Sequence, residues 1–293
     1  MGLLDGKVAI VTGAGGGLGR AHAMLLAKEG AAVVINDLGG ALDGSGDGSR
    51  VAESVVKEIK DAGGEAVANF GSVTSEADAQ AMVAQAVSSF GKLDILINNA
   101  GILRDKSFKK MTSDLWDPVI EVHLKGTYHP TKAAFAQMIE QGTGGRIIMT
   151  SSTSGLIGNF GQTNYGAAKA GIAGFMRCLA IEAVKARVTV NVLAPNAYSR
   201  MTANLFPEGS EERYAPEKVS PAIVWLCSDE AEDITGRQFV ISGNRVTLLY
   251  QAGFKIAERD GKEAAWDVAE IGQQIRKSMD EWPAPATVPE LVF

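Results

Sequence analysis

The chain has 293 residues, of which 46% are hydrophobic and 21% charged, a balance typical of a globular protein with a sizeable core. Its formal net charge of −6 and the lack of a basic block argue against nucleic-acid binding. Two cysteines support neither a disulfide framework nor a metal cluster, and neither a signal peptide nor a membrane span is predicted. We expect a cytoplasmic protein without a metal.

A glycine-rich turn follows the first predicted strand, Lys7 to Thr12, and leads into a pattern with helical spacing. Gly13, Gly17, Leu18 and Gly19 belong to this turn. Glycines let the backbone approach a ligand closely, and the amino end of a helix offers N–H groups and a positive dipole end to a pyrophosphate. The segment predicts a dinucleotide-binding turn, with a plain βα turn as the alternative.

An acidic residue, Asp37, follows the second buried strand, 32–36. At such a position a carboxylate accepts hydrogen bonds from ribose hydroxyls and repels a 2′-phosphate. The pattern therefore predicts NAD rather than NADP, and the alternative is an aspartate that caps its own turn. The glycine-rich stretch 38–49 is predicted to be a surface loop near the adenosine end.

Two further strands, 65–70 and 93–97, are predicted on either side of a helix that begins at Thr74. The second of them runs into Asn98-Asn99-Ala100-Gly101, where side-chain amides can brace a neighbouring strand and the small residues leave room for a ribose. The apolar residues predicted to face inward on the helix are Ala77, Ala81, Val83, Ala84 and Val87.

Pro118 interrupts the next helical pattern, because proline lacks the N–H that continues a helix. We predict that a short turn ends at Trp116 and that Asp117 caps a helix whose first residue is Pro118. This helix would carry His123.

Three residues that can perform chemistry follow the predicted buried strand 146–150: Ser152, Tyr165 and Lys169. Tyr165 and Lys169 are four residues apart, so on a helix their side chains share one face. A free phenol has a pKa of about 10, and a nearby ammonium lowers it by favouring the phenolate. The Ser152 hydroxyl can then hold the oxygen on which the proton is exchanged. A Tyr-x-x-x-Lys pair alone is usually structural, so its interpretation depends on the dinucleotide site.

Strands and helices alternate along most of the chain. This predicts an α/β domain over residues 1–244 with a single doubly wound parallel sheet of the Rossmann type and helices on both faces. Residues 245–293 are predicted to be a C-terminal extension with little core of its own, packed on the domain or on a partner subunit.

Several motifs occur together in a fixed order: Thr12-Gly13 with Gly17 and Gly19, Asp37, Asn98-Asn99-Ala100-Gly101, and Ser152 with Tyr165 and Lys169. On these motifs the chain resembles the short-chain dehydrogenase/reductases over roughly residues 5–243. The resemblance implies an NAD-dependent enzyme that interconverts a secondary alcohol and a ketone, a substrate loop at about 198–215, and a homodimer or homotetramer.

The resemblance also implies roles for the site residues. Tyr165 is the general acid–base, Ser152 positions the substrate oxygen, and Lys169 lowers the tyrosine pKa and holds the nicotinamide ribose, while the cofactor carries the hydride chemistry. Cofactor contacts are expected from Gly13, Gly17, Leu18, Gly19, Asp37, Ser72, Val73, Asn99, Ala100, Gly101, Tyr165, Lys169 and Pro195.

Four stretches carry a narrower resemblance: 36–40, 122–126, 158–162, and 194–197 with 199–202. They are similar to the (3R)-hydroxyacyl-CoA dehydrogenase unit of peroxisomal type 2 multifunctional enzymes, which implies a (3R)-hydroxyacyl-CoA substrate. In that branch a histidine replaces the wider family's asparagine at position 123, and its backbone would hold a water of the proton relay. The alternative is that His123 has no chemical role. We predict substrate contacts from Ser152, Phe160, Gln162, Tyr198 and Leu205.

Two departures from the branch bear on the ligands. Gly71 stands where the branch has an aspartate that holds the adenine, so this contact falls to the backbone or to Ser72. Tyr198 stands where the branch has a glycine, and its ring suits a hydroxysteroid or another hydrophobic or aryl alcohol. A dehydrogenase of such alcohols is therefore the alternative function, and a non-catalytic nucleotide-binding regulatory protein is the second alternative.

Overall fold

A computed structural model describes residues 2–39, 50–199, 202, 206–261 and 264–287, so most of the predicted loop 38–49, together with Leu205, lies outside the described residues. The strands are β1 (Val8–Thr12), β2 (Ala32–Asn36), β3 (Ala66–Asn69), β4 (Ile95–Asn98), β5 (Gly145–Thr150), β6 (Val188–Asn196), β7 (Gln238–Ser242) and β8 (Arg245–Leu249). The α-helices are α1 (Gly17–Lys28), α2 (Arg50–Asp61), α3 (Glu76–Phe90), α4 (Ser113–Ile120), α5 (Gly126–Gln141), α6 (Thr153–Leu156), α7 (Thr163–Glu182), α8 (Ser220–Leu226) and α9 (Val268–Ser278).

The strands form one sheet in the order β3-β2-β1-β4-β5-β6-β7-β8. Strands β1 to β7 pair in parallel, because helices on the faces of the sheet connect them. The last strand, β8, follows β7 through a tight turn and pairs with it in the antiparallel sense. The predicted single doubly wound sheet is confirmed, with an antiparallel strand added at one edge.

Apolar side chains fill both faces of the sheet, since successive residues of a strand point to opposite sides. Val33 and Ile97 are buried on the face covered by α1, α2 and α8. Val34 and Leu96 are buried on the face covered by α3, α5 and α7. This two-sided burial explains why the strands are almost continuously hydrophobic, and it places the polar residues that follow them at the edge of the sheet.

Pro118 lies inside α4 and does not begin a helix. Proline cannot donate a hydrogen bond to the carbonyl of Asp114, four residues earlier. Arg104 Nη1 donates to that carbonyl instead, at 2.8 Å. A π-helical turn, Glu121–Lys125, then joins α4 to α5. The predicted helix start at Pro118 is therefore wrong, because a side chain distant in sequence satisfies the acceptor that the proline leaves open.

The boundary predicted at residue 244 falls in the turn between β7 and β8, so the first residues of the extension continue the sheet. Further on, Asp267 caps α9 in a reciprocal arrangement with Glu270. Arg259 lies over the ring of Trp266, with the guanidinium carbon 3.9 Å from the centroid. Packing of the extension on a partner subunit stays a prediction.

In the part of the chain that the structure describes, no helix is both long and apolar enough to cross a membrane. The same residues contain no group of three or more histidine, cysteine, aspartate or glutamate side chains arranged to hold a metal ion.

Candidate active site

The polar residues singled out by the sequence come together at the carboxyl edge of the sheet. The glycine turn follows β1, the stretch 98–101 includes the end of β4 and the residues after it, and Ser152 follows β5. The order of the strands reverses between β1 and β4, and open α/β sheets bind their ligands at such a switch point.

The glycine turn has the shape of a cradle for a phosphate group. Gly13 has φ +62°, and a Cβ atom there would lie 2.8 Å from Cα of Ala100. A Cβ atom at Gly19 would overlap the carbonyl oxygen of Gly13. Helix α1 begins at Gly17 with neither a side-chain cap nor an acidic residue in its first turn. The first-turn N–H groups, including that of Leu18, therefore suit an anion, and the residues present fit a dinucleotide pyrophosphate.

Asp37 connects the end of β2 to the glycine turn. Its Oδ2 accepts a hydrogen bond from the N–H of Gly15 at 2.7 Å, and its Oδ1 accepts one from the N–H of Gly39 at 2.6 Å. Asp37 thus caps its own turn, as the alternative interpretation held. Each carboxylate oxygen keeps further acceptor capacity, so the same side chain can also accept hydrogen bonds from a ribose.

Asn99 and Thr12 hold the end of β4 against β1. Asn99 Nδ2 donates to the carbonyls of Thr12 and Gly13, both at 3.0 Å. In return, Thr12 Oγ1 accepts hydrogen bonds from the N–H groups of Asn99 at 3.0 Å and Ala100 at 3.1 Å. The predicted brace between the two strands is present, and it fixes the backbone of the cleft.

At the predicted adenine end of the cleft, Ser72 forms its hydrogen bonds with other residues of the protein. Its N–H donates to Asp78 Oδ2 at 2.9 Å, and its hydroxyl lies 2.8 Å from Thr74 Oγ1. Val73 is buried, and its side chain packs against Gly126. Contacts of Ser72 and Val73 with an adenine remain predictions.

Ser152, Tyr165 and Lys169 meet beside the end of β5. Ser152 caps the short helix α6, and its hydroxyl is close enough to the Tyr165 side chain to act against the rise of the tyrosine pKa. Tyr165 lies in the first turn of α7, and Lys169 follows on the same face. Lys169 Nζ lies 5.5 Å from the centroid of the Tyr165 ring and donates to the carbonyl of Thr150 at 2.6 Å. The sequence spacing thus produces the expected cluster.

Burial dominates the electrostatics of this cluster. It raises the pKa of Tyr165 to about 12, a rise that the Ser152 hydrogen bond opposes and the charge of Asp105 reinforces. Burial also lowers the pKa of Lys169 to about 7. In this arrangement, the predicted lowering of the tyrosine pKa by Lys169 is outweighed, since the lysine is itself buried and bound to a carbonyl oxygen.

The lowered pKa of Lys169 should make the free energy of unfolding depend on pH. Between about pH 7 and the ordinary lysine value of 10.5, the unfolded chain binds more protons than the folded chain at this group. The free energy of unfolding should therefore rise with pH in this window, by up to about 1.4 kcal/mol per pH unit from this residue. Lys169→Met should remove that contribution. Urea unfolding at several pH values tests it, with the exposed Lys185→Met as the control; equal slopes in wild type and Lys169→Met would contradict it.

His123 lies in the π-helical turn and is buried beside Tyr165. The ring centroids are 5.0 Å apart with an interplanar angle of 85°. Its Nε2 lies 2.7 Å from the carbonyl oxygen and 3.1 Å from the backbone nitrogen of Ile102, and its carbonyl accepts a hydrogen bond from Thr127 Oγ1 at 2.7 Å. Burial, and secondarily Lys169, holds the pKa of His123 well below its usual value. The imidazole is therefore neutral near pH 7, and a relay role stays a prediction.

Gly101 is required by the His123 ring. A Cβ atom at Gly101 would overlap Cε1 of that ring. Gly101→Ala should therefore lower the free energy of unfolding by about 1–3 kcal/mol, whereas Gly174→Ala, whose new Cβ would lie 3.8 Å from Arg177 Nη2, should not. The double variant Gly101→Ala/His123→Ala should lose less stability than the sum of the losses in the two single variants, because the alanine at 101 no longer meets the imidazole ring. Denaturant unfolding of the wild type, Gly101→Ala, Gly174→Ala, His123→Ala and the double variant checks this, and equal stability of the two glycine variants would disprove the steric account.

Gln162 holds the loop before α7 and makes an internal network. Its Nε2 donates to Asp105 Oδ2 at 2.7 Å, and its Oε1 accepts from Ser154 Oγ at 2.6 Å and Asn159 Nδ2 at 3.0 Å. Phe160 in the same loop is 90% exposed. The predicted substrate contacts of Gln162 and Phe160 stay predictions, and Asp105 is a site residue that the sequence analysis missed.

Aromatic rings gather beside the predicted substrate loop. The N–H of Tyr198 donates to the carbonyl of Tyr214 at 2.7 Å. The Tyr198 and Phe206 ring centroids are 5.9 Å apart, and those of Phe206 and Tyr214 are 4.7 Å apart. Pro195 lies in β6 opposite Ile241 of β7. The sequence analysis singled out Tyr198 but missed its neighbour Tyr214.

The fold and the site together define a nicotinamide-dependent oxidoreductase, with a dinucleotide cradle next to a serine, tyrosine and lysine cluster. The chain belongs to the short-chain dehydrogenase/reductases, since the family profile described as short chain dehydrogenase matches residues 7–209.

Proteins of similar sequence agree with this assignment. The chain is 47% identical over 263 residues to a short-chain type dehydrogenase/reductase of Mycobacterium tuberculosis, covering 90% of this chain and 91% of that protein. It is 50% identical over 232 residues to the peroxisomal multifunctional enzyme type 2 of Mus musculus, covering 79% of this chain but only 31% of that enzyme. It is 38% identical over 287 residues to a hydroxyacyl-CoA dehydrogenase of M. tuberculosis, covering 93% and 88%.

Two solved structures share the fold. A short chain dehydrogenase from Mycobacterium avium superimposes with a TM-score of 0.84 at 45% identity, covering 98% of this chain and 99% of that one. Carveol dehydrogenase from M. avium in complex with NAD superimposes with a TM-score of 0.75 at 27% identity, covering 82% and 98%.

Proposed function

We propose that this protein is an NAD-dependent dehydrogenase that interconverts a (3R)-3-hydroxyacyl-CoA and the corresponding 3-ketoacyl-CoA. The observation that carries the reaction type is the cluster of Ser152, Tyr165 and Lys169 at the sheet edge that holds the dinucleotide cradle, with Lys169 Nζ 5.5 Å from the centroid of the Tyr165 ring. The similarity over nearly the whole chain to a hydroxyacyl-CoA dehydrogenase supports the substrate class.

Each residue of the cluster has a task in this reaction. In ketone reduction Tyr165 gives its proton to the carbonyl oxygen as the substrate carbon gains a hydride, the direction that its raised pKa favours. In alcohol oxidation it accepts the hydroxyl proton in its deprotonated form as the substrate carbon loses a hydride. Ser152 donates a hydrogen bond to the same substrate oxygen. Lys169, bound to the carbonyl of Thr150, would hold the nicotinamide ribose. Bound NAD would supply the hydride acceptor.

Asp37 would select NAD over NADP. Asp37→Asn keeps one acceptor oxygen, which can serve the N–H of Gly15 or that of Gly39 but not both, and removes the charge that repels a 2′-phosphate. We expect this variant to improve kcat/KM with NADP relative to NAD, by about tenfold if the removed repulsion is worth about 1.4 kcal/mol. Asp37→Ala should relax the preference too, but raise KM for both cofactors because the glycine turn loses an anchor. Steady-state kinetics with both cofactors measures this; a wild-type preference for NADP would contradict the assignment.

A second candidate is a dehydrogenase of hydroxysteroids or other hydrophobic or aryl alcohols. The cluster of Tyr198, Phe206 and Tyr214 favours it, because aromatic rings pack well against a flat apolar substrate. The two candidates share the chemistry at Tyr165 and differ in what occupies the substrate mouth.

The test is NADH formation by the purified protein with both enantiomers of 3-hydroxybutyryl-CoA, a hydroxysteroid and an aryl alcohol. The proposal expects turnover of the (3R) thioester at a much higher kcat/KM than the (3S) thioester or the other alcohols. Rapid oxidation of the steroid or aryl alcohol with no rate on either thioester would replace the first candidate by the second.

We also infer a homodimer or homotetramer in the cytoplasm. Exposed apolar side chains on β8 and beyond it, such as Val246, Leu248 and Tyr250, support association. Light scattering of the purified protein tests the oligomeric state, and a monomer at micromolar concentration would contradict it.

A further inference from the structure

We propose that a cationic cleft at the outer end of the sheet binds the phosphate groups of a coenzyme A thioester, a proposal that rests on the proposed function. The cleft has a volume of about 270 Å³. Arg213, Lys218 and Arg245 line it together with the polar Ser242 and Asn244, and no carboxylate lies among its lining residues. It is separate from the glycine turn that fits the dinucleotide.

Close packing gives the cleft a defined shape. Gly243 has φ +55°, and a Cβ atom there would lie 2.7 Å from the carbonyl oxygen of Arg213, so only a glycine allows this approach. Asn196 Nδ2 donates to Ser242 Oγ at 3.1 Å, which ties the end of β6 to one wall. The Arg213 guanidinium lies over the ring of the buried Tyr214, 5.3 Å from its centroid. The cationic side chains of the cleft therefore extend from well-packed segments of the backbone.

The charge of the cleft stands out in a chain with a net charge of −6. Arg213 and Lys218 form no ion pair with a carboxylate among the residues that the structure describes. Glu211 and Glu212 precede Arg213 in the sequence, but they are exposed and do not line the cleft. The guanidinium of Arg213 and the ammonium of Lys218, on a concave surface, favour phosphate, which accepts charge-assisted hydrogen bonds from both.

The distance between the cleft and Ser152 is compatible with the length of a coenzyme A thioester. The cleft lies at the carboxyl end of β7, on the same edge of the sheet as Ser152, which follows β5. Two strand spacings separate β5 from β7, about 10 Å. A pantetheine arm is about as long as four or five extended residues, roughly 15 Å. The phosphates can therefore lie in the cleft while the acyl end reaches Ser152 and Tyr165.

The kinetic test compares 3-hydroxybutyryl-CoA with 3-hydroxybutyryl-pantetheine, which has the same reacting end but no nucleotide phosphates. We expect Arg213→Gln/Lys218→Gln to raise KM for the CoA thioester by about tenfold or more, with kcat and the KM of the pantetheine thioester unchanged. Added salt should raise the wild-type KM for the CoA thioester only. The control is Lys185→Gln, an exposed lysine just before β6, at the opposite edge of the sheet.

A binding measurement separates this proposal from the proposed function. Calorimetry with free coenzyme A and with pantetheine, both at saturating NADH so that the dinucleotide cradle is filled, reports on the cleft without turnover. Tighter binding of coenzyme A that is lost in Arg213→Gln/Lys218→Gln supports the cleft, even if no thioester is oxidised and the proposed function fails. Oxidation of the CoA thioester with the same KM in wild type and double variant, and equal coenzyme A binding, would overturn the cleft proposal and leave the proposed function standing.

Discussion

Replacing Tyr165 by phenylalanine is expected to lower kcat for alcohol oxidation by about 10²–10⁴-fold, the usual contribution of a general acid–base. The change removes only the hydroxyl, while the ring that packs against Ile102, Val119 and Ala168 remains. Binding of NADH should therefore be almost unchanged, because the glycine turn and Asp37 are untouched. Steady-state rates and a fluorescence titration with NADH measure the two quantities.

Tyr250→Phe is the matched control, since this tyrosine is 75% exposed and lies beyond the end of β8. It should keep the wild-type rate. If Tyr165→Phe also keeps the wild-type rate, the phenol is not the proton partner. If Tyr165→Phe loses NADH binding to the same degree as activity, the residue supports the cofactor site rather than the proton transfer.

Ser152→Ala is expected to lower kcat by about 10²–10³-fold, the range found when one hydrogen-bond donor to a reacting oxygen is removed. Two contacts are lost: the hydrogen bond to the substrate oxygen and the one to Tyr165, which lowers the tyrosine pKa. The apparent pKa of the rate-limiting ionisation should therefore rise. The measurement is kcat as a function of pH for wild type and variant.

Ser152→Thr retains a hydroxyl and should recover part of the lost rate, whereas a purely structural role would not depend on the hydroxyl in this way. Thr153→Ala, at the neighbouring position in α6, serves as the control and should behave like wild type. A Ser152→Ala enzyme with wild-type kcat and an unchanged pH profile would remove Ser152 from the reaction.

Much of the fold and of the site follows from local sequence patterns. The strands are short, apolar and separated by helical patterns, so the sheet could be predicted with boundaries close to those observed. The four-residue spacing of Tyr165 and Lys169 fixes their common face because the helix geometry is regular. The brace formed by Asn99 follows from its place at the carboxyl end of a parallel strand.

Features that depend on distant contacts could not be predicted. The carbonyl that Pro118 leaves open is satisfied by Arg104, which no local pattern indicates. The buried face of α3 is formed by Ala79, Met82, Val83 and Ala86. The prediction that Ala77, Ala81 and Ala84 face inward is wrong, because these three residues are exposed. Helix α3 carries alanine on several sides, and its pattern therefore fits more than one face.

Some features of the site also depend on distant contacts and could not be predicted from the sequence. The charge of Asp105 raises the pKa of Tyr165, and its carboxylate accepts a hydrogen bond from Gln162. In the sequence, however, Asp105 is one polar residue in a polar stretch. The expected lowering of the tyrosine pKa by Lys169 rested on proximity alone. Burial of both groups, which is a property of the folded protein, reverses the balance.

The most direct test of the central claim is the fate of deuterium placed on C3 of (3R)-3-hydroxybutyryl-CoA during oxidation with NAD. Mass spectrometry of the products should recover one deuterium in the reduced dinucleotide for each ketone formed, because the reaction is a hydride transfer accompanied by proton transfer to Tyr165. Deuterium released into water, or no ketone formed from this substrate, would contradict the account.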